Sequence, residues 1–564
     1  MKYDDILQEI GDFGPYQKRV YYILCLPSAV KAVIIMSTVF LFSLPDYECV
    51  SSGIHLQLSD LNPSLQSLVN STSDLMDTTY ASSSSAHPDH CWVPTQIEIP
   101  LNVTISVNVS AERLLGSHVT ALARTGVPEA VKCQEWRYDR SEIESSIMTE
   151  FNFVCDKSMM RSHANMGLFL ASLVGALVIG ILADIIGRKK ALLFCVALQL
   201  GSCLGTFFAQ TAVAVVVLRS VQGLSGEMFP IAASTGMELL GQGRRTFAGT
   251  VVQFFWSAGQ LLVLLVAYVS GGWRVQELVY AACAVPLFLA VWLWTPESPR
   301  WLIDKDRQAE ATDILEKIAT SNKTKLPENA LQNKDELYDT EESVLTIIRS
   351  RTLLIMSLVV LLNWFTVNVL YYGLSLNLEN LSGSLYLNFL ISLSVEVAGF
   401  AFCYVLLDRA GRKALMIGCM FVGSLACLCV TFPVVFGNAD QQWIVTTLCM
   451  VGKMCVGSCY AILFIMSVEL FPTVVRNSAL GACMVFENVA GMVAPYITDL
   501  GLTTTHTEIS QAVPLLVFGG LGVVTAIASL YLPETLGKPL PETFQDAIDL
   551  SSGGKNKKER QGEK

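Results

Sequence analysis

The chain alternates long apolar stretches with shorter polar ones. A helix needs about 20 apolar residues to cross the hydrocarbon core of a bilayer. Because a bilayer leaves backbone polar groups no water to bond with, such stretches must satisfy their own hydrogen bonds as helices, which predicts an all-α membrane protein with twelve transmembrane helices. The predicted spans are residues 20–42, 166–183, 191–210, 212–240, 247–270, 274–295, 352–372, 385–407, 414–436, 442–466, 478–499 and 512–532.

Basic residues indicate how these spans are oriented. Lys18 and Arg19 precede the first span, and Arg188, Lys189 and Lys190 lie between the second and third. By the positive-inside rule both termini are then predicted to be cytoplasmic. The predicted domains are a cytoplasmic N-terminus (1–19), an N-terminal six-helix bundle (20–295), a cytoplasmic linker (296–351), a C-terminal six-helix bundle (352–532) and a cytoplasmic tail (533–564).

The polar stretch 44–163, between the first two spans, is predicted to be a large extracellular loop. It contains three glycosylation sequons, at Asn70, Asn102 and Asn108. It also contains four cysteines, Cys49, Cys91, Cys133 and Cys155. An even number of cysteines in an extracellular loop predicts two disulfides, with three possible pairings. The twelve other cysteines lie mostly in apolar spans, where they are expected to be small packing residues.

A short basic turn between the second and third spans recurs between the eighth and ninth. The first copy contains Gly180, Asp184, Gly187 and Arg188, and the second contains Asp408, Gly411 and Arg412, with Tyr404 in place of the first glycine. Glycine permits the tight bend between two antiparallel helices. We predict that both turns form cytoplasmic contacts that favour the outward-facing state.

Other landmarks repeat at a similar offset. Glu238 and Arg245 after the fourth span are echoed by Glu469 and Arg476 after the tenth, and Pro296-Glu-Ser after the sixth is echoed by Pro533-Glu-Thr after the twelfth. Glu238, Arg245, Glu469 and Arg476 are also predicted to act in gating. Matched landmarks in the same order predict two six-helix bundles related as a parallel repeat, with substrate bound between them near the bilayer midplane.

These motifs resemble a known family. The duplicated G-x-x-x-D-x-x-G-R-K turn is similar to that of the major facilitator superfamily. Four further segments resemble solute carrier family 22, the organic cation, organic anion and carnitine transporters, with the organic cation/carnitine branch the most similar. They are residues 4–17, 136–155, 296–302 and 469–477. The resemblance implies a plasma-membrane, multi-pass, glycosylated transporter.

Composition agrees with a membrane protein. Hydrophobic residues make up 52% of the chain and charged residues only 15%, which is atypical of a soluble multidomain protein. The net charge of −11 adds little, because the acidic residues concentrate in loops and tails. Because no nucleotide-binding, hydrolytic or redox motif occurs, we expect neither an enzyme nor a cofactor, and no metal or nucleic-acid partner.

Six ionisable residues fall inside predicted spans, where a charge at the bilayer centre costs about 3 kcal/mol and therefore marks a functional candidate. The alternative is that they only pair with each other to hold helices together. That alternative is favoured for Arg219, which is also predicted among the gating residues, and a role in a substrate cavity is favoured for Glu396 and Glu487. For the remaining three both interpretations stay open. The six are Lys31, Arg219, Glu227, Glu396, Lys453 and Glu487.

The resemblance adds candidates on the fourth, fifth, seventh and eleventh spans. Cation transporters of the family carry an acid on the eleventh span. By alignment Asn488 holds that position and Glu487 precedes it, while Val367 replaces an acid that some of them carry on the seventh. Aromatic faces bind a protonated or quaternary amine by cation–π contact. The candidates on these grounds are Phe229, Gln253, Trp256, Trp364, Tyr371 and Asn488.

The sequence thus predicts a transporter of small organic cations or zwitterions that works by alternating access. Lys31 beside several acids suits a zwitterion. The alternatives are an organic anion transporter of the same family and a non-transporting membrane sensor built on this fold. The predicted partners are a small organic ion and the lipid bilayer, and the coupling ion, sodium or proton if there is one, stays open.

Overall fold

A computed structural model gives the structure of the chain. It describes residues 3–49, 91–94, 130–133, 135–241, 245–327, 349–437, 441–472, 475–503, 508–538, 541 and 544–551. Twelve helices in this part of the chain are long and apolar enough to cross a membrane, which confirms the predicted fold class. The three sequons and the cytoplasmic tail beyond residue 551 lie outside the described residues.

The first six spanning helices form the N-terminal half. They are α1 (Pro15–Met36, continued by Thr38–Leu41), α2 (Met160–Ile186), α3 (Arg188–Phe208), α4 (Ala212–Ser225 and Met228–Glu238), α5 (Arg245–Ser270) and α6 (Trp273–Trp294). Most lie close to the predicted spans. The exception is α4, which was predicted as one helix but is interrupted at Gly226 and Glu227.

The second six form the C-terminal half. They are α7 (Arg351–Leu376), α8 (Leu385–Ala410), α9 (Arg412–Cys429 and Thr431–Phe436), α10 (Gln442–Leu470), α11 (Arg476–Thr503) and α12 (Glu508–Ser529). Several run past the apolar limits of the predicted spans, because a helix continues into polar residues once its apolar part is anchored.

The two halves pack by the same pattern. In the N-terminal half α1 packs on α5, α2 on α4 and α3 on α6, and in the C-terminal half α7 packs on α11, α8 on α10 and α9 on α12. Between the halves α2 packs on α11 and α5 on α8. Equivalent helices therefore make equivalent contacts, which is the parallel repeat expected from the duplicated landmarks.

Glycines allow two of these helix pairs to approach closely. A Cβ atom at Gly223 of α4 would overlap the backbone carbonyl of Leu168 on α2, and one at Gly259 of α5 would overlap that of Ala29 on α1. Small residues at helix crossings are typical of membrane proteins, where close packing takes over from the hydrophobic effect as the force between helices.

The outward faces of the bundle are apolar. On α2, Leu177, Ile181 and Ile185 recur every four residues, and each is at least 60% exposed. This spacing puts them on one side of a helix, and an apolar face of that kind is stable against lipid. We call the end of the bundle that carries the two basic turns the inner side, and the opposite end the outer side.

The chain between α1 and α2 forms a separate compact unit, residues 44–158. Its described part contains two antiparallel pairs of short strands. β1 (Tyr47–Cys49) pairs with β4 (Trp136–Tyr138), and β2 (Trp92–Pro94) pairs with β3 (Ala130–Lys132). Of the three possible disulfide pairings, the structure has Cys49 with Cys133 and Cys91 with Cys155.

Two short helices cover the inner side. The N-terminal helix Tyr3–Ile10 buries Ile6, Leu7 and Ile10 completely, and the linker after α6 contains a helix over Gln308–Ser321. The linker residue Asn322 donates to the carbonyl of Ile10 at 2.9 Å. The start of the chain and the linker are therefore joined beneath the N-terminal half.

Candidate functional site

A cavity lies between the two halves. Residues from seven helices line it, three in the N-terminal half and four in the C-terminal half. Half of the lining residues in the described part of the chain are aromatic, and two are acids. The lining residues are Ser28, Phe229, Gln253, Trp256, Asn368, Tyr371, Tyr372, Glu396, Phe400, Gly457, Tyr460 and Glu487.

Glu487 on α11 is the acid that faces Lys31 of α1 across the cavity. The Lys31 Nζ lies 3.5 Å from Glu487 Oε1 and 5.4 Å from the centre of the Phe229 ring, and both charged side chains are buried. The hydroxyl of Tyr372 lies at 3.5 Å from the same oxygen. Glu487 Oε2 has no hydrogen-bond partner among the described residues, so the carboxylate keeps a free acceptor at the cavity.

Glu396 on α8 is the centre of a second polar cluster. Its Oε1 accepts hydrogen bonds from the Tyr371 hydroxyl at 2.9 Å and from Gln260 Nε2 at 3.0 Å. Trp256 Nε1 in turn donates to the Tyr371 hydroxyl at 2.8 Å. Because Gln260 and Trp256 belong to α5, this cluster joins the two halves.

Lys453 on α10 supplies the positive charge of this cluster. Its Nζ lies 3.3 Å from the centre of the Tyr371 ring, donates to the Tyr371 carbonyl at 3.1 Å and to Ser375 Oγ at 2.5 Å, and lies 4.0 Å from Glu396 Oε2. This ammonium is held in place by four groups, and so it is a fixed charge behind the lining residue Tyr371.

Glu227 occupies the interruption of α4. Its Oε1 accepts a hydrogen bond from Ser172 Oγ of α2 at 2.9 Å, and Lys31 lies within electrostatic range of it. The described midplane therefore holds three acids, Glu227, Glu396 and Glu487, and two lysines, Lys31 and Lys453. If all five are ionised, the region carries one uncompensated negative charge.

Five of the residues predicted to bind substrate are not among the lining residues, namely Lys31, Glu227, Lys453, Trp364 and Asn488. Trp364 is fully buried behind the cavity, with its ring edge-on to Tyr460 at 5.5 Å and its Nε1 donating to Ser467 Oγ. Asn488 is turned back to its own helix, where it donates to the carbonyl of Met484 at 2.9 Å. Arg219 lies in the outer half of α4 and bridges α1 and α6.

Arg219 was predicted among the gating residues, with a role in pairing helices favoured. In the structure it contacts two neighbouring helices. It donates to Thr38 Oγ1 and the Ile34 carbonyl at 3.0 Å, and lies 3.5 Å from Glu277 Oε1. Since all these groups belong to the N-terminal half, they support a role in holding its helices together.

Five aromatic or polar lining residues were missed from the sequence, namely Ser28, Asn368, Tyr372, Phe400 and Tyr460. They occur in apolar spans rich in such residues, so periodicity alone does not distinguish a cavity face from a packed one. A usable signal was available for Asn368 and Tyr372. Both are polar, and they lie one helical turn apart on α7, so they share a face.

On the outer side the two halves are in contact. Arg161 of α2 donates to Glu379, at the end of α7, at 2.5 Å, and Ser43 after α1 donates to the same carboxylate at 3.1 Å. Ser162 of α2 also forms a hydrogen bond with Asp499 of α11. These polar bonds close the outer end of the bundle.

Aromatic rings close the layer beneath. Phe169 of α2 lies 4.9 Å from the ring of Tyr372 on α7, and it packs on Gly491 of α11 so closely that a Cβ atom there would overlap the ring. Tyr372 also lines a second cavity, of about 310 Å³, on its outer side. The Phe169–Tyr372 pair therefore separates the central cavity from the outer side.

The basic turn of the N-terminal half is bonded to acids of the same half. Arg188 Nη1 lies 2.6 Å from Glu238 Oε1, Ser298 donates to Glu238 Oε2 at 2.5 Å, and Glu297 accepts from the backbone of Lys189 at 3.0 Å. Asp184, predicted to be the acid of this contact, is exposed. Its backbone carbonyl is what accepts a bond, from Trp301 Nε1 at 2.9 Å.

The second turn repeats this arrangement. Arg412 Nε lies 3.4 Å from Glu469 Oε2, and Thr535 donates to the same oxygen at 2.6 Å. Burial raises the pKa of the Glu534 carboxyl, but hydrogen bonds from the backbone N–H groups of Leu536, Arg412, Lys413 and Thr535 outweigh it and lower the pKa overall.

The sequence therefore predicted Arg188, Glu238, Arg412 and Glu469 at the inner side, and missed Glu297, Ser298, Glu534 and Thr535. The missed residues belong to the repeated Pro-Glu-Ser and Pro-Glu-Thr landmarks, which were read only as markers of the repeat. Gly180 has open space around it and makes no close contact. The side chains of Arg245, Asp408 and Arg476 lie outside the described part of the structure.

Comparisons with known proteins agree with this architecture. A family model described as "Sugar (and other) transporter" matches residues 133–546. An organic cation transporter protein of Drosophila melanogaster is 32% identical, over 97% of this chain and 94% of its own length. Human solute carrier family 22 member 2 is 30% identical, over 98% and 96%. Human organic cation/carnitine transporter 2 is 28% identical, over 99% and 95%.

A solved structure shares the fold. The Escherichia coli xylose transporter XylE, in a partially occluded inward open conformation, aligns with a TM-score of 0.58 at 16% identity, over 93% of this chain and 100% of that one. The full-length relatives and the twelve helices make the chain a multi-pass plasma-membrane transporter of small organic substrates and not an enzyme. It belongs to solute carrier family 22 of the major facilitator superfamily.

Proposed function

We propose that this transporter carries small organic cations, or zwitterions with a cationic end, by alternating access. The observation that carries the proposal is the central cavity, where aromatic rings surround the free carboxylate oxygen of Glu487. A bare carboxylate is unfavourable near the middle of a membrane, and a bound cation offsets that cost. Relatives named as organic cation transporters support the same substrate class.

The aromatic lining supports a substrate with an apolar body. Trp256 and Tyr372 have hydrogen-bonding ends that are already engaged by other side chains, which leaves their ring faces for contact. One face of the Tyr371 ring is already taken by the Lys453 ammonium. A desolvated amine on such a face gains about 2 kcal/mol. The uncompensated acid at the midplane disfavours an anion, the runner-up substrate.

Contacts between the halves support alternating access. The inter-half bonds described above lie around the central cavity and on the outer side, while the Arg188 and Arg412 networks of the inner side each stay within one half. An inward-facing or occluded state closes on the outer side in this way. The opposite state would require the Arg161–Glu379 and Ser162–Asp499 bonds to break.

Uptake of labelled tetraethylammonium into liposomes that contain the purified chain tests the proposal. We expect Glu487→Gln to reduce uptake at least about tenfold, because truncating one partner of a buried charge contact costs about 2 kcal/mol or more. A labelled aryl anion should not be carried by either protein. Binding of tetraethylammonium without uptake would instead indicate a sensor.

Glu396→Gln is the matched control. This substitution removes an acid of the same cavity that already has two hydrogen bonds and the Lys453 ammonium beside it, so we expect lower expression of folded protein and a nearly normal affinity. An unchanged tetraethylammonium affinity in Glu487→Gln would contradict the proposed role of this acid.

A further inference from the structure

The two lysines of the midplane are held very differently. Lys453 has short bonds to Ser375 and to the Tyr371 carbonyl, and its ammonium lies on the Tyr371 ring. Lys31 has one hydrogen bond among the described residues, at the long distance of 3.5 Å to Glu487, and a distant ring contact with Phe229. The Lys31 ammonium is therefore the one that can be displaced.

Lys31 also has a second acid within reach in its own half. Glu227 on α4 has a single side-chain hydrogen bond among the described residues, from Ser172, and it lies two residues before Phe229, whose ring centre is 5.4 Å from the Lys31 Nζ. Lys31 and Glu227 both belong to the N-terminal half, whereas Glu487 belongs to the C-terminal half. The Lys31–Glu487 contact therefore joins the two halves, and a Lys31–Glu227 contact would not.

We propose that Lys31 is a tethered cation that holds the place of the substrate at Glu487. In the empty carrier its ammonium neutralises Glu487. A substrate cation that enters the cavity takes over Glu487, and Lys31 moves to Glu227. Binding is then an exchange of one cation for another at the same carboxylate, and it also removes a charge contact between the two halves.

This exchange predicts an effect on one step of the transport cycle, provided that the chain transports cations as proposed above. A carrier that returns empty has to pass through an occluded state with no substrate on Glu487. With Lys31 in place the Glu487 carboxylate stays paired during that step. Without Lys31 the occluded state contains an unpaired buried charge, which is unfavourable. Return with substrate bound avoids this cost.

The test compares two fluxes of labelled tetraethylammonium in liposomes that contain the full chain. Net uptake into empty vesicles requires empty return, whereas exchange into vesicles preloaded with unlabelled tetraethylammonium does not. For Lys31→Met we expect binding of tetraethylammonium to tighten about tenfold, exchange to stay within about twofold of the wild type, and net uptake to fall about tenfold.

Glu227→Gln should shift affinity the other way. It removes the acid to which Lys31 retreats, so the lysine competes more strongly and tetraethylammonium binds about tenfold more weakly. Lys31→Arg, which keeps the tethered charge, should retain the wild-type ratio of exchange to net uptake. Opposite shifts at Lys31 and Glu227 are not expected if both residues only stabilise the helices.

The inference is overturned if net uptake and exchange fall together in Lys31→Met, or if its affinity for tetraethylammonium drops. Should Lys31→Met fail to fold, the double variant Lys31→Met/Glu487→Gln restores the wild-type net charge of the midplane and shows whether the lost charge balance is the cause. Lys31→Arg and Glu227→Gln still give the affinity test. A wild-type chain that carries no tetraethylammonium would refute the proposed function itself. Normal flux in the wild type with no effect of Lys31→Met would refute only the exchange at Glu487.

Discussion

Gly187 and Gly411 show how much one residue determines at the two basic turns. Each ends one helix and begins the next, with φ of +108° and +90°, in a region that favours glycine. A Cβ atom at Gly187 would overlap the carboxylate of Glu297, and one at Gly411 would lie 2.6 Å from Glu534 Oε2. Both positions therefore exclude a side chain on two independent grounds.

Gly187→Ala should destabilise the protein by about 2 kcal/mol, since it adds backbone strain and displaces Glu297 from the Lys189 backbone. The measurement is the melting temperature of the purified protein, together with uptake. Gly180→Ala is the control, because Gly180 lies in the same helix with open space around it. Equal melting temperatures for the two variants would show that the turn tolerates a side chain.

Residue-scale contacts were only partly predictable from the sequence. Ionisable residues in apolar spans were enough to select Lys31, Glu396, Lys453 and Glu487. Burying a charge is unfavourable, so such a residue indicates a paired or functional group wherever the helix lies. In the structure Arg188 pairs with Glu238 and Asp184 is exposed, because pairing depends on which helix end approaches the turn. The acids that reach the turn are Glu238 and Glu297, which are distant from it in sequence.

At the scale of elements, the inner networks hold the ends of helices within each half. Arg188, Glu238 and Ser298 join the start of α3, the end of α4 and the segment after α6. Arg412, Glu469 and Thr535 do the same for α9, α10 and the segment after α12. In the proposed alternating-access cycle, such networks would keep each half rigid while the halves move relative to each other.

Reversing the pair at the N-terminal turn tests this interpretation. Arg188→Glu should reduce uptake about tenfold, because it places like charges in contact where the structure has an ion pair at 2.6 Å. Adding Glu238→Arg should restore part of the loss by re-forming the pair. Lys190→Gln, at an exposed basic residue of the same turn, should leave uptake near normal. Failure of the double variant to exceed Arg188→Glu would argue against direct pairing.

The helices themselves were largely predictable, because the length of an apolar stretch is set by the bilayer. The interruption of α4 at Gly226 and Glu227 was not predicted, although the sequence carries a signal for it. Pro230 has no N–H to bond to the Gly226 carbonyl four residues earlier, and its ring opposes a regular helix there. The apolar pattern alone does not show this, because it continues without a break through the proline.

At the scale of the whole molecule, the outer ends of the halves meet and the cavity lies behind them. The contacts come from residues at the beginnings and ends of spans, such as Arg161, Glu379 and Asp499, whose partners could not be read from the sequence. Alternating access requires this surface to separate once per cycle. A bond that cannot break there should stop transport.

A pair of cysteines provides such a bond. Ser162 and Asp499 are hydrogen-bonded across the two halves, so Ser162→Cys/Asp499→Cys should crosslink under mild oxidation and abolish uptake. Reduction should restore uptake, and the single variant Ser162→Cys should be insensitive to the oxidant. Full uptake by a demonstrably crosslinked protein would contradict separation at this surface.

The close helix crossings at Gly223 and Gly259 have a consequence for inherited variation. Every single-base missense change of a glycine codon introduces a residue that has a Cβ atom. At these two positions that atom would overlap the backbone of the neighbouring helix at Leu168 and Ala29, which cannot move aside as a flexible side chain can. Even alanine, usually the mildest replacement in a helix, is unsuitable there. In population sequence data these two codons should therefore be depleted of missense alleles, whereas the codon of Gly180 should tolerate them.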